Sequence, residues 1–129
     1  MIYEFCAENV TLLEKAMQAG ARRIELCDNL AVGGTTPSYG VTKAAVELAA
    51  NYDTTIMTMI RPRGGDFVYN DLEIAIMLED ICLTAQAGSQ GVVFGALTAD
   101  KKLDKPNLEK LIAASKGMEI VFHMAFDEL

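Results

Sequence analysis

Cysteine, proline, histidine and basic residues are all scarce in this chain. It has three cysteines, three prolines and one histidine in 129 residues. An odd cysteine count without framework spacing excludes a disulfide scaffold and fits a reducing cytosol. No apolar run approaches the roughly 18 residues that a membrane-spanning helix needs. The opening MIYEFCAEN has no basic stretch followed by an apolar one, and carries Glu4 and Glu8, so it does not read as a secretory signal. Eleven Lys and Arg against eighteen Asp and Glu leave a net charge of −7. That excludes the basic face that nucleic acid or an anionic membrane surface would require. A cytoplasmic protein, with neither nucleic acid nor membrane as partner, is expected.

What is present is a globular composition, 51% hydrophobic and 22% charged, at a length suited to one core. β-rich runs alternate with helical ones. Strands are predicted over Ile2–Cys6, Arg23–Cys27, Thr55–Ile60, Gly91–Leu97 and Glu119–His123. The first helix is predicted from about Asn9 to Ala19, with Val10, Leu13, Ala16 and Met17 on one face. The second runs from about Ser38 to Ala50. The third places Ile74, Met77, Leu78, Ile81 and Ala85 at helical spacing and stops at Gly88. Asp104 caps the fourth, which has Pro106 in its first turn and buries Leu108, Leu111 and Ile112.

This rhythm implies parallel strands joined by right-handed crossovers. Apolar parity assigns Tyr3, Phe5, Ile24, Leu26, Ile120 and Phe122 to the helix side. Glu4, Cys6, Glu25, Cys27 and His123 then face the opposite side. An open, doubly wound sheet would cover those charges with helices, whereas a barrel tolerates them near its C-terminal mouth. The expected fold is therefore α/β, a TIM-like (β/α)8 barrel with only about the first four and a half βα units. Residues 1–129 read as the N-terminal part of a single barrel domain that typically needs about 250 residues. Such a piece cannot close, so exposed edges and a homo-oligomer are expected.

The inward residues carry the candidate chemistry. Glu4-Phe5-Cys6 and Glu25-Leu26-Cys27 repeat a Glu-x-Cys spacing that turns carboxylate and thiol to the same side. Strands lie about 4.8 Å apart, and two thiols so placed suit a soft ion such as copper(I). Free cysteine is equally a common small core residue, and packing is the expected role of Cys82 on the third helix. Glu4 and Glu25 need compensation if buried, and Arg61 and Arg63 of the loop RPRGGDF are the expected source. Those four residues form either an internal ion-pair network or an anion site in which a glutamate works as acid or base. His123, with Asp127 four residues on, stands at a strand end where barrel enzymes keep catalytic groups. Gly33-Gly34 and Gly64-Gly65 match no nucleotide-binding spacing. Met17, Met57, Met59 and Met77 fall at core-like positions.

ELC, GGTTPS, IRPRGGDF, MLEDI and FHMAFD occur in an order and rough spacing that resemble the copper homeostasis protein CutC family, from Met1 to the last residue. The resemblance implies a cytoplasmic TIM-like barrel linked to copper homeostasis, in a longer chain. It also implies copper binding at cysteines on the ends of the early strands, which Cys6 and Cys27 match. Met124 stands where the family usually has arginine, which weakens any cation beside His123. Two functions follow as expectations. One is copper(I) binding through Cys6 and Cys27. The other is an enzyme acting on a small anionic metabolite, with Arg61 and Arg63 for binding and Glu4, Glu25 and His123 for proton transfer.

Overall fold

Five short strands pair in chain order, all parallel, in the computed structural model, which describes residues 4–123. They are β1 (Glu4–Glu8), β2 (Arg23–Cys27), β3 (Thr55–Met59), β4 (Gly91–Phe94) and β5 (Glu119–Phe122). Between them run α1 (Leu13–Gln18), α2 (Tyr39–Ala49), α3 (Asp71–Gln86) and α4 (Lys105–Ala114), with a short 3-10 turn over Leu30–Val32. Sequential parallel order with a helix in every crossover is the arrangement of consecutive units in a TIM-like barrel. β1 and β5 are the edges of the sheet.

Local signals set the helix ends. Ser38 Oγ accepts from the Val41 amide at 3.2 Å to start α2. Asn70 and Glu73 exchange side-chain and backbone bonds in a reciprocal cap at the head of α3. Asp104 accepts from the Asn107 amide at α4. The first helix is shorter than its apolar spacing predicts. Asn9 and Leu12 hold left-handed backbone, with φ of 58° and 59°, which cannot continue a right-handed helix. Val10 therefore lies exposed rather than on the buried face.

Apolar parity sorts the two faces as expected. Ala7, Ile24, Leu26 and Ile56 pack under α1 and α2, while Val92 and Phe94 pack under α3 and α4. Phe5 shares that parity but stays 42% exposed on the edge strand. On the opposite face Cys27, Met57, Met59 and Val93 form a separate cluster, with Val121 against it. Two helix positions differ from expectation. Ala85 and Ile112 are exposed and Thr84 is buried instead, because each helix presents a narrower stripe to the sheet than its apolar residues span. Cys82 is likewise exposed, not packed. The expectations for Tyr3, Met124 and Asp127 lie outside the described residues.

One glycine governs how closely the strands approach. Gly91 sits opposite Met57 on one side and Glu119 on the other. A Cβ there would stand 2.5 Å from Met57 Sδ and 2.6 Å from the Glu119 carbonyl oxygen. The sulfur can swing away; the backbone oxygen cannot. Gly91→Ala should destabilise by roughly 1–3 kcal/mol through overpacking, measured by urea unfolding. Shortening Met57 in the same variant should recover only part of the loss.

Candidate functional site

The inward face has a charged end and a dry end, with the two thiols between. At the N-terminal end Arg23 Nε lies 3.3 Å from Glu4 Oε1, and its Nη1 lies 3.1 Å from Glu119 Oε1. This corrects the expectation that Arg61 compensates Glu4 and Glu25. Arg23 shares the parity of Glu25 two residues away, a signal present in the sequence but not used. Both carboxylates of these pairs are more than half exposed, so each contact contributes little to stability.

Next along the strands Cys6 pairs in register with Glu25, and Glu25 with Met57. Glu4, Cys6, Arg23, Glu25, Met57 and Val93 line a recess of about 120 Å³. Burial raises the Glu25 carboxyl, the Glu4 charge adds to the rise, and Arg23 opposes it. Burial also raises the Cys6 thiol, with Glu25 and Glu4 adding to it. Cys27 lies deeper, 1% exposed, in register with Glu8. Burial, then the charges of Glu25, Cys6 and Glu8, push its thiol up to about 12. The two Glu-x-Cys units are therefore brought together on one face, as the spacing predicts, and their thiols are protonated at neutral pH.

At the C-terminal end both candidate anion-binding arginines are engaged by the protein. Arg61, 3% exposed, donates from Nη1 to the Val32 and Gly34 carbonyls at 2.6 and 3.0 Å, and from Nη2 to Gly65 at 2.8 Å. Its guanidinium stands 4.8 Å over the Phe67 ring. Arg63 donates to Glu73 at 2.6 Å and to the Asp66 and Val68 carbonyls at 2.7 and 2.8 Å. Its guanidinium lies over Tyr69. Neither arginine has Glu4 or Glu25 as an ion-pair partner among the described residues. A fork with five donors suits converging carbonyls as well as it suits an anion.

His123 packs its ring 4.9 Å from that of Phe67, which also meets Arg61. Burial, then the Arg61 charge, lowers its pKa to about 4. The imidazole is thus neutral over the physiological range, at the strand end where the sequence reading put it. Among the described residues no group of three or more His, Cys, Asp and Glu could hold a metal ion. Spacing alone left Met57 and Met59 as core residues; the structure puts both beside Cys27.

Comparison with known proteins is consistent over the whole chain. A family model described as "CutC family" matches residues 1–129. A family protein CutC from Streptococcus pyogenes serotype M6 is 56% identical over 129 residues, and one from Enterococcus faecalis is 54% identical. Each comparison covers 100% of this chain and 62% of the relative. A crystal structure from Streptococcus agalactiae, assigned as a copper homeostasis protein CutC, superposes with a TM-score of 0.96 at 50% identity. It is covered to 61% by this chain. No helix among the described residues is long and apolar enough to cross a membrane.

Two measurements check this geometry. Arg61→Leu should strand three carbonyl acceptors and destabilise by on the order of 3–5 kcal/mol, read by chemical unfolding. Arg61→Lys should recover little, since an ammonium cannot span the same fork. The second concerns pH. A histidine pKa lowered on folding, from 6.5 to about 4, makes the unfolded state bind more protons between those values. The stability it contributes is fully present above pH 6.5 and is lost as pH falls toward 4. The imidazole resonance of this single histidine should titrate well below pH 6.5 in the folded protein, with a midpoint of about 4. A midpoint near 6.5 would place the ring in solvent.

Proposed function

The chain belongs to the CutC family, and from that premise we propose that it serves copper homeostasis by binding copper(I) through Cys6 and Cys27. The observation that carries the reading is their placement. They stand on paired strands, facing the same side, offset by one inward position. Strand spacing and rise put their Cα atoms roughly 8 Å apart, close enough for side chains to converge from a fixed backbone. Thiolate sulfur selects copper(I) over harder ions, and the donor set fits that cargo. The likeness to the Streptococcus agalactiae protein supports the same reading.

The surroundings dictate how such binding would proceed. Both thiols are held protonated by burial and nearby carboxylates. Each must release its proton as the metal enters, so affinity rises with pH. Of the two thiols, Cys6 is exposed and Cys27 buried. Free thiols throughout suit a reducing compartment, and we place the protein in the cytoplasm.

Acid–base chemistry by Glu4, Glu25 and His123 on a small anion has one observation behind it, the raised carboxyl of Glu25. Arg61 and Arg63, which would bind the anion, are engaged elsewhere.

Titration of copper(I) into the reduced protein against a competing chelator tests the copper reading. Cys6→Ser and Cys27→Ser should each weaken binding at least about tenfold, with the melting temperature recorded to confirm folding. Unchanged affinity in both folded variants would transfer the assignment to the acid–base reading.

A further inference from the structure

β2 and β3 pair through Leu26 and Thr58. The next residues, Cys27 and Met59, therefore turn inward side by side, and both belong to the small cluster on that face. They are 1% and 2% exposed. Both close on the same glycine. The point where a Cβ on Gly34 would stand is 3.1 Å from Cys27 Sγ and 3.6 Å from Met59 Cε. Gly34 holds φ of +97°, and its carbonyl accepts from the buried Arg61. The backbone thus forms a fixed, side-chain-free roof over one thiol and one thioether.

Two thiols alone would leave the metal two-coordinate in protein ligands. Met59 stands beside Cys27, on the neighbouring strand and the same face. A thioether is a soft, neutral donor with no proton to displace, and methionine's three rotatable bonds allow its sulfur to reach an ion without backbone movement. We propose that Met59 is the third protein ligand for copper(I), completing a site with Cys6 and Cys27 beneath the Gly34 roof. The assignment rests on the copper reading above. Binding releases one proton from each cysteine, leaves Met59 chemically unchanged and keeps the metal in its +1 state.

Met59→Leu keeps the volume and apolar character of the position and removes only the sulfur, so it is the informative variant. Copper(I) affinity is measured by chelator competition for wild type, Met59→Leu, Cys6→Ser and Cys27→Ser. X-ray absorption at the copper edge is recorded on selenomethionine-labelled wild type and Met59→Leu. The expected result is one selenium neighbour of copper in wild type and none in the variant, with affinity lowered at least about tenfold, since even partners outside the coordination sphere carry that much. If both cysteine variants lose binding while Met59→Leu keeps wild-type affinity and no selenium is seen, the Met59 assignment is overturned and the copper reading stands. If the cysteine variants bind as wild type does, both fall together.

Discussion

Arg61 is the side chain on which the C-terminal end of the sheet depends. Burying a guanidinium costs several kcal/mol unless its donors are met. Here backbone carbonyls from two separate glycine loops accept from Nη1 and Nη2, in place of a carboxylate. Those bonds tie residues 32–34 to residue 65 across the mouth of the sheet, and Val32 fits against Gly64, where a Cβ would stand 2.9 Å away. The Gly34 carbonyl held this way roofs Cys27, and the Phe67 ring under the guanidinium also packs against His123. One buried cation thus sets the cover of the deeper thiol and, through its charge and the dryness around it, keeps the histidine neutral.

The opposite end of the inward face follows different physics. Arg23 joins Glu4 and Glu119 where water reaches both carboxylates, so those contacts arrange charge more than they stabilise. Cys6 and Cys27 lie between the two ends, where burial and acidic neighbours oppose the thiolate. Thiols in that state are poor nucleophiles and resist oxidation.

The Glu-x-Cys repeat shows how much strand parity conveys. A side-chain period of two, combined with apolar residues at the alternate positions, oriented Glu4, Cys6, Glu25 and Cys27 correctly before any coordinates. The same rule applied to Arg23 would have identified the partner of Glu4. Attention to the arginine-rich loop after β3 pointed instead to Arg61, whose long side chain turns to carbonyls brought close only by folding.

The succession of strands and helices, their parallel order and the two faces of the sheet were determined by the sequence alone, because apolar periodicity and local caps are properties of neighbouring residues. The start of α1 was not, since left-handed Asn9 and Leu12 belong to a turn set by packing. Nor were the exposure of Cys82, Ala85 and Ile112, which depends on how wide a stripe each helix lays on the sheet. Only the tertiary structure decided that Met59 lies beside Cys27 under Gly34. That contact joins three segments distant in sequence, and its geometry comes from strand register and a loop pinned by a buried arginine.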